Sequence, residues 1–206
     1  MSKTVTLALT GASGMPYAMR LLQSLLDAGH TVYLVYSQAA QFVAAQEMGL
    51  TLSAKTSETR RMLVERTRCR PGQLQVFARE DWNAPIASGS GAVDAMVVCP
   101  CTMGALAAIA NGLSENLIER AADVMIKEKR QLILVPRETP FSAIHLENML
   151  KLARLGVVIL PPNPGFYHLP SSVDDLVDFV VGKLLDQLAV PHQLVEKWGN
   201  VALPDD

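Results

Sequence analysis

The feature that most constrains this chain is a rhythm in which short apolar runs of strand length alternate with longer segments of helical period. That alternation is the signature of βαβ units. Strands are predicted over residues 4–9 (TVTLAL), 31–35, 95–98, 131–135 and 157–160. Helices are predicted over 17–26, stopped by Gly29, from a cap at Ser37 towards Met48, over the charged segment 57–68, and over 171–188. Half of the residues are hydrophobic and only 18% are charged, which suits a sheet buried on both faces. The expected fold is therefore a single α/β domain around a central parallel sheet, over residues 1–189, with 190–206 as a tail that needs a docking surface to be ordered.

The same composition excludes several classes of function. Lys and Arg total 18 against 20 Asp and Glu, a formal net charge of -2, which gives no electrostatic case for nucleic acid or an anionic membrane. The arginine-rich segment 57–68 reads as a solvated helix face with paired charges. The apolar stretch 95–110 is broken by Pro100, Thr102 and Gly104, so no membrane span is expected. The first residues lack the pattern of an export signal. Cys69, Cys99 and Cys101 form neither a disulfide framework nor a CxxC motif, and a cytoplasmic location is expected. No metal-ligand spacing occurs, and Asp174 and Asp175 read as caps at a helix start rather than as a magnesium motif.

In a parallel sheet the ligand belongs at the carboxyl ends of the strands. The turn Thr10-Gly11-Ala12-Ser13-Gly14 leads from a strand into a helix, and its glycines and helix N-terminus suit a phosphate or a flavin edge. It lacks the GxGxxG spacing and the P-loop lysine, and a plain βα turn capped by Ser13 explains it equally well. Cys99-Pro100-Cys101-Thr102-Met103-Gly104 occupies the equivalent place after residues 95–98. Thr102 can cap the next helix, the amides of Met103, Gly104 and Ala105 offer an anion site, and the cysteines read as packing residues rather than nucleophiles. Arg120 and Lys127 share a helix face, and Arg137 with Glu138 follows the strand 131–135. These four charged groups fit either a phosphate clamp with a proton-handling carboxylate or an interface ion-pair network. Late in the chain Tyr167 and Lys183 offer a hydroxyl and an ammonium, while a lone His168 is more often a structural hydrogen-bonder than a catalyst.

Six segments together, TGASG at 10–14, SGS at 88–90, CPCTMG at 99–104, NLIERAADVMIKEKR at 116–130, PRETPFSAIHLENM at 136–149 and PGFYH at 164–168, resemble the UbiX-type flavin prenyltransferases, in family order and over nearly the whole chain. The resemblance implies a flavodoxin-like (Rossmann-like) three-layer sandwich, assembled as a homododecamer. It implies an enzyme that joins dimethylallyl monophosphate to reduced FMN through N5 and C6 without a metal. The product, prenylated FMN, would serve a partner UbiD-type decarboxylase, often in ubiquinone biosynthesis. It places Gly11, Ala12, Ser13, Ser37, Thr102, Met103, Gly104, Ala105 and Arg137 around FMN, with Ser13 near N5 and with Arg120 assisting. It places Lys127, Arg137, Glu138, Tyr167 and Lys183 around the prenyl phosphate, with Trp82 and Trp198 walling the prenyl pocket. Ser13, Glu47, Lys127 and Glu138 would carry the chemistry. Aromatic faces in a dry pocket would stabilise an allylic cation as phosphate departs.

The chain departs from the family pattern at Lys183, where arginine is common and a point charge replaces a bidentate fork, and at Met15-Pro16, a position where proline is well tolerated. Two other readings share the fold. A flavin-dependent cysteine decarboxylase would carry a PASANT-like turn and a PxMNxxMW-like segment, and neither occurs. A non-catalytic flavin carrier has little use for the cluster Lys127, Arg137, Glu138, Tyr167 and Lys183.

Overall fold

The computed structural model describes residues 2–91 and 93–195, so Trp198 lies outside the described residues. In chain order the elements are β1 Thr4–Leu9, α1 Met15–Asp27, β2 Thr31–Tyr36, α2 Gln38–Met48, α3 Thr56–Thr67, β3 Leu74–Phe77, β4 Ala95–Cys101, α4 Met103–Ala110, α5 Leu117–Lys127, β5 Gln131–Pro136, α6 Ala143–Arg154, β6 Val158–Ile159 and α7 Val173–Gln187. Two short 3-10 turns, Pro85–Ala87 and Gly89–Gly91, lead into β4. The strands form one six-stranded sheet, all parallel, in the order β3-β2-β1-β4-β5-β6. This is the doubly wound three-layer sandwich in its Rossmann strand order, and its direction of winding reverses between β1 and β4.

Side-chain alternation builds the two outer layers. Val5, Leu7 and Leu9 of β1 and Val97 of β4 face one layer, where they pack with Leu21, Leu22 and Leu25 of α1 and Val181, Leu184 and Leu185 of α7. Ala8, Met96 and Val98 face the other, with Leu106 of α4, Ala121, Ala122 and Met125 of α5 and Leu152 of α6. The apolar residues of α1 recur at three- and four-residue spacing, as a helix lying on a sheet requires, and each fully buried leucine stabilises the fold by about 1.5–3 kcal/mol. Pro16 sits in the first turn of α1, where its missing N–H costs nothing.

Two features were not expected from the sequence. The first is β3, a four-residue edge strand paired with β2. It follows Pro71-Gly72, alternates weakly, and is half solvated, so it carries little of the apolar signal of a buried strand. The second is a register shift between Val98 and Cys101 in β4. This irregularity puts Cys99 in one layer and Cys101 in the other although they are two residues apart.

The turn after β1 lies against the start of α2, so that a Cβ on Gly11 would stand 2.4 Å from the Ala39 Cβ. Glycine is required there by packing, whatever ligand approaches. Gly11→Ala is expected to lose about 1–3 kcal/mol of stability, the ordinary cost of overpacking, measured as a lower urea midpoint with an unchanged slope.

Candidate functional site

At the reversal point the ends of β1 and β4 are bolted together. The Thr10 hydroxyl donates to the Pro100 carbonyl at 2.7 Å and accepts from the Thr102 N–H at 2.8 Å. Thr102 then caps α4, its side chain accepting from the Ala105 N–H at 3.1 Å. Ser37 does the same for α2, accepting from the Ala40 N–H at 3.1 Å. Two helix N-termini therefore converge on one cleft of about 360 Å³, lined by Gly11, Ser37, Ala39, Arg79, Thr102 and Ala105 among others. The Ala105 amide is spent on the cap, which leaves those of Met103 and Gly104 without an intrahelical acceptor. A Cβ on Gly104 would meet nothing within 4 Å among the described residues, which leave the space over the α4 terminus open. Backbone donors, hydroxyls, small side chains and the positive ends of two helix dipoles suit a planar ligand that carries a phosphate.

The turn 10–14 lines the cleft through Thr10 and Gly11, and the helix start that follows it is already taken. Glu47, at the end of α2, accepts from the N–H groups of Gly14 at 3.0 Å and Met15 at 2.8 Å, so a carboxylate already occupies the α1 N-terminus. Burial works against the charge of Glu47. Hydrogen bonds from Ser13, Gly14 and Met15, together with the positive charge of Arg137, outweigh burial and hold its pKa below the ordinary value of 4.5. Ser13, Glu47 and Arg137 thus form one electrostatic group beside the cleft. Arg137 is exposed at the end of β5, its N–H donating to the Cys101 carbonyl at 3.3 Å, and Glu138 next to it accepts from the Thr139 N–H at 3.1 Å. Burial pushes the Cys99 thiol up and the Cys101 thiol up to about 12, so neither presents a thiolate near neutral pH.

The remaining candidates lie elsewhere. α5 starts beside the cleft, where the Leu117 N–H donates to the Arg79 carbonyl, and it ends near the start of β4, where Arg130 donates to the Val93 carbonyl. Arg120 donates to the Ala87 carbonyl at 2.9 Å and pairs with Asp123 at 3.0 Å. Lys127 pairs with Glu128 at the far end of α5, next to Gly89, where a Cβ would stand 3.0 Å from its Nζ. At 1.5 Å per residue the helix carries Lys127 about 15 Å from the level of the cleft. Tyr167 and Lys183 gather at Phe179 on α7, and Trp82 is exposed in the turn after β3. Within one chain, then, Gly11, Ser37, Thr102 and Ala105 line the cleft and Ser13, Glu47 and Arg137 meet beside it, while Lys127 and the pair Tyr167 and Lys183 form two separate groups.

Arg79, Asn116 and Glu119 also line the cleft without having been singled out. Arg79 follows β3 by two residues, so recognising that strand would have flagged it. Asn116 caps α5, its side chain accepting from the Ile118 N–H at 3.0 Å. Its position, directly before the amphipathic run of α5, is a readable capping signal. Among the described residues no cluster of His, Cys, Asp or Glu is arranged to hold a metal ion, and no helix is long and apolar enough to cross a membrane.

The fold defines a doubly wound α/β protein of the Rossmann strand order, and its strand-end cleft is lined by backbone and hydroxyl groups rather than by a P-loop lysine. The comparisons with known proteins narrow the class. The chain belongs to the Flavoprotein family, whose model matches residues 1–185. It is 54% identical over 202 residues to the flavin prenyltransferase UbiX of Pseudomonas aeruginosa, covering 98% of this chain and 97% of that one. Among solved structures, AnUbiX (PadA1) in complex with FMN and dimethylallyl pyrophosphate superposes with a TM-score of 0.87 at 37% identity, covering 98% of this chain and 100% of that one. A dodecameric FMN-dependent UbiX-like decarboxylase from Escherichia coli O157:H7 superposes with a TM-score of 0.84 at 38% identity, covering 96% of this chain and all of that one. The cysteine decarboxylase TvaF, at 18% identity and a TM-score of 0.60, shares the fold alone.

If Glu47 is held ionised by the α1 N-terminus, it stabilises the fold above pH 4.5, and that contribution disappears as the pH falls through its depressed folded value. The gap in stability between the native chain and Glu47→Gln is therefore expected to be largest near neutrality and to close in acid. The carboxylate is partly solvated, so the gap should stay below about 1 kcal/mol. Urea unfolding of both proteins from pH 7 to pH 3 measures it.

Proposed function

We propose that this protein is a flavin prenyltransferase, transferring the dimethylallyl group of dimethylallyl monophosphate to reduced FMN and releasing phosphate. The observation that carries the reading is the cleft made by the α2 and α4 N-termini, in a chain 54% identical over nearly its full length to an enzyme of that name. Reduced FMN, when bound, supplies N5 and C6 as the positions that accept the prenyl group. Gly11, Ala12, Ser37, Thr102, Met103, Gly104 and Ala105 hold it through backbone and hydroxyl groups, with Arg120 assisting. Ser13 lies beside Glu47, which is ionised at neutral pH and accepts the hydrogen bond of the Ser13 hydroxyl. Glu47 therefore orients Ser13 with its oxygen lone pairs free at the flavin edge, and Glu138 holds or moves a proton on the donor side.

The donor phosphate is held by Lys127, Arg137, Glu138, Tyr167 and Lys183, with Trp82 and Trp198 against the prenyl chain. Cationic groups and a tyrosine neutralise a monophosphate without a metal. Because Lys127 and Arg137 stand at opposite ends of the sheet in one chain, a site that uses both is built between protomers. α6 and the residue that follows it turn Ile144, Leu146, Leu150 and Leu155 outward, each at least half exposed, which supports burial against another copy. A homododecamer like the E. coli relative's is the assembly proposed. The proposal extends to a cytoplasmic enzyme whose product passes to a UbiD-type decarboxylase in ubiquinone biosynthesis.

Anaerobic incubation with reduced FMN and dimethylallyl monophosphate should add the mass of one prenyl unit to the released flavin. An unchanged mass with FMN bound would overturn the reading in favour of a flavin carrier or a cysteine decarboxylase. Ser13→Ala and Glu138→Gln are expected to keep the flavin and to slow transfer by about 10²-fold, the usual worth of a positioned acid or base. Mixed oligomers of Lys127→Ala and Glu138→Gln chains should recover part of the activity that each lacks alone. No recovery, in oligomers shown to be mixed, would put both residues in one protomer's site.

A further inference from the structure

The group on α7 has an internal order that its ligand role alone does not require. Phe179 is buried, 7% exposed, and four residues before Lys183, so the two share a helix face. The Lys183 Nζ lies 5.6 Å from the centre of the Phe179 ring. Tyr167 meets the same ring edge-on, with centroids 5.6 Å apart and planes at 78°. His168 stacks on it at 5.1 Å and 15°. Neither ring nitrogen of His168, both buried, has a hydrogen-bond partner among the described residues. The imidazole is thus a plate packed by its face. The loop comes this close because residue 165 is glycine: a Cβ there would stand 2.9 Å from the Phe179 Cζ and 3.0 Å from the Tyr167 Cε1. Phe179 and Lys183 also line a cavity of about 200 Å³, with His192 and Val195 of the C-terminal segment among its walls.

We infer that Phe179 is the positioning residue for the two donor-binding groups Tyr167 and Lys183, its ring setting where the hydroxyl and the ammonium stand relative to one another. The inference rests on the reading that this pair holds the donor phosphate. The physical reason is the ring's quadrupole, whose negative face attracts an ammonium and which favours a T-shaped contact with another aromatic ring. An aliphatic side chain of similar bulk fills the space but orients neither neighbour. Phe179 carries no polar side-chain atom and is not among the residues lining the strand-end cleft, so its effect belongs in donor binding and not in the flavin site.

The test is steady-state prenylation by the oligomer, varying dimethylallyl monophosphate at saturating reduced FMN. Phe179→Leu is expected to raise the donor KM about fivefold with kcat within about twofold, the yield of one ring pair and one ammonium–ring contact of ordinary strength. Flavin affinity should not change. In a Lys183→Met background the same step should cost less, because its partner is already gone. Gly165→Ala attacks the contact from the loop side and should also raise the donor KM, so the inference remains testable if Phe179→Leu folds poorly. An unchanged KM in Gly165→Ala and Phe179→Leu, alongside a raised KM in Lys183→Met, overturns the role of Phe179 and leaves the donor reading standing. An unchanged KM in Lys183→Met and Tyr167→Phe overturns the donor reading and the inference with it. A parallel loss of flavin affinity would mark general loosening and also overturn the positioning role.

Discussion

The hydroxyl of Thr10 joins β1 to β4 at the one place where a doubly wound sheet is least closed. Strands on either side of the reversal send their connections to opposite faces, which leaves a crevice above their ends. The hydroxyl gives to Pro100 and takes from Thr102, so one side chain holds both lips at fixed spacing. Thr102, held this way, is also the residue that starts α4. The position of a helix N-terminus, and with it a pair of amides free to bind an anion, follows from one buried hydrogen-bonded threonine. Such a group is costly to leave unpaired, about 1–3 kcal/mol, and this makes the arrangement a rigid one.

Electrostatics then divides the work among three helix starts. α1, α2 and α4 all begin at this end of the sheet, and each presents unsatisfied amides. Glu47 satisfies α1 from within the chain, whereas the starts of α2 and α4 line the cleft. An anionic ligand is therefore drawn to the pair that hydroxyls, not a carboxylate, cap. Glu47, near the end of α2, also brings a fixed negative charge across to Ser13 at the approach to α1.

Much of this was legible in the sequence. The long buried strands and the amphipathic α1 and α7 carry strong periodic signals, and the caps Ser37, Thr102 and Ser172 stand where a polar turn meets an apolar run. β3 was not legible, since an edge strand of four residues with one solvated face resembles a loop. Arg79 was lost with it. The role of Glu47 was hidden for another reason: it reaches across 33 positions to Gly14, and no local pattern encodes a contact between one helix end and another. Lys127 illustrates the opposite error of scale. Its helix face is readable, but which end of the sheet it reaches depends on the direction of α5, and that is a property of topology.

Gly11 and Gly104 look alike as small residues at ligand-binding turns, yet the space around them differs. A methyl group on the first meets Ala39, whereas on the second it meets no atom of the described residues within 4 Å. The fold thus has one glycine that its own packing demands and one that its packing ignores. On the proposed reading, in which the flavin sits over the α4 terminus, a side chain grown at residue 104 would occupy the ligand's room while leaving the shell intact, giving a blank subunit: folded and unable to take its flavin. Doping an oligomer with such blanks would count how many working clefts the assembly needs.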